Sequence, residues 1–288
     1  MEKLEFVVSK NQNVFDSILE KRKSLNFAML QKALRKKDIR VNNKKISENC
    51  QVVAGDIVLI YLPEKRKKQV QIVFEDENIL IANKPQGMEV TLKDKAFSES
   101  ECLEEILNAK ACHRLDKNTE GLVVMAKNNP AEIAFFEAFK NHFVHKHYLA
   151  ITTGKIKKSG DFLQNYLKKE QNFAKIYNFN AKNSKIAKLE YRVISQKNDL
   201  FLIDVNLITG RFHQIRAQLS HHGIYVLGDE KYGNKEINKK YHKNKQQLCA
   251  YKITFEKMPI PLEYLNGKSF AIEPSFHLND FVDKKTSK

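Results

Sequence analysis

Residues 113–122 read His-Arg-Leu-Asp-Lys-Asn-Thr-Glu-Gly-Leu and run straight into the apolar stretch Val123-Val124-Met125-Ala126. No other feature limits the fold as much. A charged turn that feeds an apolar strand puts Asp116 where a rigid, buried element meets a surface that a substrate can reach. Arg114, two residues away, can hold the carboxylate ionised or reach a phosphate or a base. A lone Asp in a turn is ordinarily a cap or a turn former. A nucleophilic or general-base carboxylate needs access, a nearby cation and a strand to aim it, and this segment offers all three.

About a hundred residues on, Thr209-Gly210-Arg211-Phe212-His213-Gln214-Ile215-Arg216 supplies positive charge. Arg211 and Arg216 straddle a predicted helix start, and Gln214 adds an amide. Arg216 falls one turn beyond His213, near exposed backbone N–H groups that favour anions. An ordinary solvated basic helix face would have the same composition. Taken with Asp116, the segment reads as one arginine pairing with the carboxylate and another touching phosphate.

The chain has 50 Lys and Arg against 34 Asp and Glu, a net charge of +16. Such an excess suits a polyanionic partner, because each neutralised phosphate releases counterions. It also reflects a general bias towards Lys. Cys50, Cys102, Cys112 and Cys249 show no CxxC or zinc-knuckle spacing and read as thiols in a reducing compartment. No segment approaches the ~18 apolar residues of a membrane span, and the N-terminus lacks a signal-peptide layout. These features predict a soluble, cytoplasmic protein.

The polar run Pro63-Glu64-Lys65-Arg66-Lys67-Lys68 suggests a break between domains. We expect a small domain over 1–64, a basic linker over 65–70, a larger domain over 71–278 and a basic tail over 279–288. In the small domain, Asp16 is a candidate cap for a helix over 17–23. A second helix is predicted over 27–37, followed by strands at 39–42 and 56–61. In the larger one, a hairpin turns at Asp76-Glu77-Asn78, and strands are predicted at 122–127, 148–152, 189–194, 200–207 and 253–255. Asn129-Pro130-Ala131-Glu132 reads as a helix start, with Asn129 as cap and Ile133, Phe136 and Phe139 near one face. A further helix over 213–221 closes at Gly223. Strands outnumber helices, which predicts an α+β fold with an antiparallel-rich mixed sheet.

His113 to Leu122 resembles the catalytic motif of the RluA-type pseudouridine synthases. Further segments match in the family's order: residues 75–87, with Asn83-Lys84-Pro85-Gln86-Gly87; Lys146-His147-Tyr148-Leu149-Ala150; residues 209–216; and Gly228-Asp229-Glu230-Lys231-Tyr232-Gly233. Thr119-Glu120-Gly121 stands where Thr-Ser-Gly is commoner, and Phe212 where Thr is commoner. Residues 1–64 resemble, more loosely, an S4-type RNA-binding domain. They have Val14-Phe15-Asp16 where Arg-Leu-Asp is frequent and Asp38 where a Gly is usual.

The resemblance implies a pseudouridine synthase fold behind an S4-like αα-plus-strands domain. It implies isomerisation of uridine in RNA without metal or cofactor, most naturally in large-subunit ribosomal RNA. By the same carry-over, Asp116 is the catalytic carboxylate, Arg216 its partner, and Tyr148 stacks on the target base. Arg114 fills the gap left by the flipped uridine. His113, Arg211, His213 and Gln214 are further candidate RNA contacts. Flipping costs roughly a few kcal/mol, and stacking on an aromatic ring returns roughly 1–3 kcal/mol. Residues 1–64 hold 12 Lys and Arg against 8 Asp and Glu. Lys21-Arg22-Lys23, Arg35-Lys36, Arg40 and Lys44 are candidate phosphate contacts there.

Other chemistries fit less well. His142, His145, His147 and the pair His221-His222 lack zinc-ligand spacing, and there is no GxxxxGK, GxGxxG or GxSxG. The rival readings are a non-catalytic structured-RNA binder, the same activity on tRNA, and a metal hydrolase built on the histidines. We expect a monomer, no metal, no cofactor and no membrane partner.

Overall fold

The computed structural model describes residues 2–23, 25–62, 69–92 and 102–281. The chain divides into two compact units, Met1–Gln69 with Leu92–Cys102, and Val70–Thr91 with Leu103–Lys288. Most of the predicted linker and the end of the predicted tail lie outside the described residues.

The first unit begins with a strand that the sequence pattern does not predict, β1 (Glu2–Val7), followed by β2 (Gln12–Asn13). Helices α1 (Val14–Lys21) and α2 (Phe27–Arg35) come next, then β3 (Ile39–Val41), β4 (Lys44–Lys45), β5 (Gln51–Val52) and β6 (Ile57–Leu62). A four-stranded sheet runs β1-β6-β3-β4, and β2 pairs with β5. Phe15, Ile18, Leu30, Leu34, Ile39, Val58 and Ile60 fill the core between helices and sheet. Asp16 does not cap α1. Asn13 holds the cap position and Asp16 lies in the first turn, where a carboxylate still complements the helix dipole. Asn26 caps α2, its side chain accepting from the Met29 N–H.

The second unit is built on a mixed, mostly antiparallel sheet, so the chain is α+β. Its elements are β7 (Gln71–Glu75), β8 (Ile79–Lys84), α3 (Leu103–Leu107), β9 (Lys110–Ala111), β10 (Glu120–Ala126), α4 (Asn129–Lys140), β11 (Val144–Gly154), β12 (Gly160–Glu170), β13 (Phe173–Tyr177), β14 (Lys185–Lys197), β15 (Leu200–Leu207), α5 (Gln214–His221), β16 (Ile224–Val226), α6 (Lys235–Lys240), β17 (Leu248–Phe255) and β18 (Ser269–Ala271). The main path runs β13-β12-β14-β15-β11-β17-β10-β8-β7, with β16 on β11, β18 on β17 and β9 on β10. The predicted hairpin is β7–β8, and Asp76 braces its turn by accepting from the N–H groups of Asn78 and Ile79 at 2.8 Å each.

β10 lies between β8, antiparallel, and β17, parallel. Every residue of it is buried, as a strand covered on both faces requires. One core cluster holds Leu115, Val123, Met125, Tyr148, Val205 and Ile215; another holds Leu122, Val124, Phe135, Ile253 and Phe255. The parallel contact brings Gly121 against Ala250 so closely that a Cβ there would stand 2.4 Å from the Ala250 carbonyl oxygen.

Helix α4 starts one residue earlier than expected. Asn128, not Asn129, is the cap and accepts from the Ala131 N–H. Its packed face also differs. Ala131, Ala134, Phe135 and Ala138 are buried, whereas Ile133 and Phe136 are exposed and Phe139 is partly buried. Small alanines let the helix approach β10 closely, and one phenylalanine fills the remaining space. Of the residues expected in a tail, Asn279 and Asp280 belong to a short 3-10 turn (Leu278–Asp280), and Phe281 is buried with Phe276 and Leu278.

Candidate active site

Asp116 sits on the loop between β9 and β10. Leu115 anchors the loop in the core, and the Thr119 N–H donates to the Asp116 carbonyl at 3.0 Å to close the turn. A fully buried lysine fastens it from outside. Lys84, at the end of β8, donates to the carbonyls of Pro85 (3.1 Å), Met88 (2.9 Å) and Lys117 (3.1 Å). The Gly87 N–H also reaches the Lys117 carbonyl, at 2.8 Å. A buried ammonium is costly unless its hydrogens find acceptors. Lys84 finds two of them in its own segment and the third, Lys117, on the Asp116 loop, so the Asn-Lys-Pro segment and the Asp116 turn hold each other. Gln246 donates to the Thr119 hydroxyl. Glu120 accepts from the Ser275 N–H at 2.7 Å and from its hydroxyl at 2.6 Å, which pins the far end.

Arg216, on α5, reaches this loop. Its Nη1 donates to Asp116 Oδ2 at 2.7 Å. Its Nε and Nη2 donate to the two oxygens of Asp229 at 2.6 and 2.9 Å, a two-pronged pair. Asp229 also accepts from the N–H groups of Lys231 (2.9 Å) and Tyr232 (3.1 Å). Burial opposes the charge on Arg216, but the hydrogen bonds and charges of Asp229 and then Asp116 outweigh it and raise its pKa. Burial would likewise raise Asp229, yet the Arg216 bonds and the backbone donors prevail and lower it. Side-chain exposure is 24% for Asp116, 8% for Arg216 and 0% for Asp229. Of the three, Asp116 is the one that faces open space. Arg216 is therefore not an exposed anion receptor at a helix start. Its guanidinium is committed to two carboxylates.

Tyr148 lies on β11 in the same core cluster, 5% exposed. Burial, and after it the Asp116 charge, push its phenol upward, so the hydroxyl stays protonated. His213 precedes α5 in a left-handed conformation, with φ 52°. Its Nε2 stands 3.8 Å from Asp116 Oδ2 and its Nδ1 3.0 Å from the Tyr232 hydroxyl.

The other predicted contacts separate by exposure. Arg114 is exposed and makes no hydrogen bond or ion pair among the described residues. Arg211 is half-buried, with Nε donating to the Ile186 carbonyl at 3.2 Å. Gln214 is buried. It accepts from the Arg211 N–H (3.0 Å) and the Thr209 hydroxyl (2.8 Å) and donates to the Lys188 carbonyl (3.1 Å), so it braces the loop. His113 turns inward. Its Nε2 accepts from the Val124 N–H at 3.1 Å, and its Nδ1 is buried without a hydrogen-bond partner among the described residues. Burial, then the charge of Lys146, lowers its pKa to about 3.

The structure adds Lys84, Asp229, Tyr232 and Lys146 to this neighbourhood. All four lie in the matched segments, but nothing in their spacing shows which side chains would turn inward. Lys146 lies 5.2 Å over the Phe139 ring, and burial lowers its pKa to about 8. In the first unit, Lys21, Lys23, Arg35, Lys36 and Lys44 are exposed and Arg22 is half-buried; Arg40 stacks on Tyr61 at 5.5 Å. No cluster of three or more His, Cys, Asp or Glu among the described residues is arranged to hold a metal ion. No helix among them is long and apolar enough to cross a membrane.

Known proteins resemble this chain in sequence and in fold. The family described as RNA pseudouridylate synthase matches residues 78–221. The chain is 35% identical to a protein of Rickettsia bellii named ribosomal large subunit pseudouridine synthase C, over 74% of this chain and 80% of that one. It is 31% identical to a Mycoplasma capricolum protein named as an uncharacterized RNA pseudouridine synthase, over 94% and 98%. The solved structure of human RNA pseudouridylate synthase domain containing 1 superposes with a TM-score of 0.56 at 22% identity, covering 74% of this chain and 92% of that one, a likeness of fold. The chain belongs to the RNA pseudouridylate synthase family, as an RluA-type member.

Proposed function

We propose that this enzyme converts uridine to pseudouridine in large-subunit ribosomal RNA, with Asp116 as its catalytic carboxylate. The ion pair between Arg216 and Asp116, at 2.7 Å, carries this reading. A buried cation fixed by Asp229 leaves the carboxylate with one oxygen engaged and a face open to a nucleoside. The reaction breaks the bond from C1′ to N1, joins C1′ to C5, and moves one proton from C5 to N1. It is redox-neutral and consumes no second substrate. Asp116 either adds to C1′ or removes the C2′ proton. Tyr148 packs against the flipped base, and Arg114, exposed beside the loop, fills the vacated stack. The names of the bacterial relatives favour ribosomal RNA over tRNA.

Residues 1–64 act as an S4-like RNA clamp, with phosphates met by the exposed Lys21, Lys23, Arg35, Lys36 and Lys44. The enzyme works in the cytoplasm as a monomer. The test is release of tritium from RNA labelled at uridine C5. Asp116→Asn is expected to abolish release while RNA binding changes by less than about tenfold. Substantial turnover by this variant would remove Asp116 from its role. Mapping pseudouridines in cells with and without the gene identifies the target.

A further inference from the structure

His213 is more than a surface base in a helix-start motif. Its backbone is left-handed, with φ 52° and ψ 25°, a conformation that a non-glycine residue adopts at a cost and that the surroundings must enforce. Two neighbours lock the ring. Phe212 stacks on it, with centroids 3.7 Å apart and planes inclined by 21°. Tyr232 meets Nδ1 through its hydroxyl at 3.0 Å.

That hydroxyl decides the tautomer. The Tyr232 oxygen already accepts from the Ala174 N–H at 2.7 Å. Among the described residues, the acceptor left for its proton is His213 Nδ1. A hydroxyl that gives its proton to Nδ1 makes Nδ1 an acceptor and leaves the hydrogen on Nε2. Nε2 is the nitrogen that faces Asp116 Oδ2, at 3.8 Å. Burial, outweighing the pull of Asp116, lowers the His213 pKa to about 4, so the ring is a neutral N–H donor at working pH. Both Arg216 and His213 address the same oxygen, Oδ2. Among the described residues, none donates to Oδ1.

We propose that Tyr232 and Phe212 hold His213 as the neutral Nε2–H tautomer so that, with RNA bound, it becomes the second donor to Asp116 Oδ2 and leaves Oδ1 alone to meet the nucleoside. Catalytic hydrogen bonds are commonly long before substrate binds and tighten in the complex. His213 is thus a positioning residue, and the inference rests on Asp116 being the catalytic carboxylate.

Single-turnover rates and RNA affinity of the full chain separate the possibilities. His213→Phe keeps a stacked ring without a donor. It should slow isomerisation by about tenfold to a hundredfold, the worth of one hydrogen bond to a charged group, with Kd for RNA within about threefold. His213→Gln, which keeps an N–H, should recover part of the rate. Tyr232→Phe should slow the reaction less, and adding it to His213→Phe should cost nothing further, because the hydroxyl acts through the ring. Nitrogen NMR of the wild-type protein should find His213 Nδ1 unprotonated. If His213→Phe turns over at the wild-type rate, or loses only affinity, or if Nδ1 carries the proton, the inference fails. Asp116→Asn in the same assay keeps the two questions apart. An active Asp116→Asn overturns the catalytic assignment, whereas an inactive one beside a fully active His213→Phe overturns only this one.

Discussion

Asp229 fixes the direction from which Arg216 reaches Asp116. Its carboxylate is fully buried and takes two of the three Arg216 hydrogen bonds. Removing one partner of a buried pair leaves an uncompensated charge and typically costs about 3–5 kcal/mol. Asp229→Ala is therefore expected to lower the melting temperature markedly and to reduce turnover, since Arg216 no longer approaches Asp116 from a fixed direction. Thermal melts and tritium release check both effects. A second residue-scale expectation concerns acid. His113 is held neutral, with its pKa lowered to about 3 from an ordinary 6.5. The unfolded chain takes up this proton first as pH falls, so stability is complete above about pH 6.5 and declines from there towards pH 3. His213, lowered to about 4, acts in the same direction. Melting temperature should fall between pH 7 and pH 5, and His113→Gln, which keeps an acceptor for the Val124 N–H, should lessen the fall.

At the scale of elements, the site depends on one parallel strand contact. β10 carries the loop with Asp116 on its upstream side and meets β17 at Glu120 and Gly121. Gly121 has φ 121°, and a Cβ would strike the Ala250 backbone at 2.4 to 2.8 Å. Gly121→Ala is expected to destabilise the protein by about 2 kcal/mol or more, from steric conflict and a backbone angle that alanine resists. Denaturant melts measure this. Turnover should fall with it, because a displaced β10 moves the loop. The apolar run was enough to show that β10 is a strand. Its neighbours were not readable, because β8 ends at Lys84 and β17 begins at Leu248, both far from it along the chain. β12 and β13 went unread for another reason. Their polar residues mask an alternation that only pairing, of β12 with β14 and of β13 with β12, makes evident. The exposed Ile133 and Phe136 on α4 show the opposite case, an apolar periodicity that points away from the packed face.

For the whole molecule, the net charge of +16 sets the expectation. Replacing Lys21, Arg35 and Lys36 together by Glu should weaken RNA binding at low salt. It should also flatten the slope of log affinity against log salt by about 0.7–0.9 for each phosphate that the variant no longer neutralises. Unchanged affinity at every salt concentration would show that these residues do not meet RNA.

The order of motifs was enough to point to the family and to a short set of side chains worth watching, because spacing along a chain records which groups a reaction needs. The excess of strand-like runs over helices was enough to point to the α+β class. Pairing was not readable in it. That Arg216 is shared between Asp116 and Asp229, that Lys84 ties its own segment to the Asp116 loop through the Lys117 carbonyl, and that His113 and Gln214 turn inward are decided in three dimensions. Each of these is a competition among nearby donors and acceptors for partners out of water. Only packing fixes which of them are near.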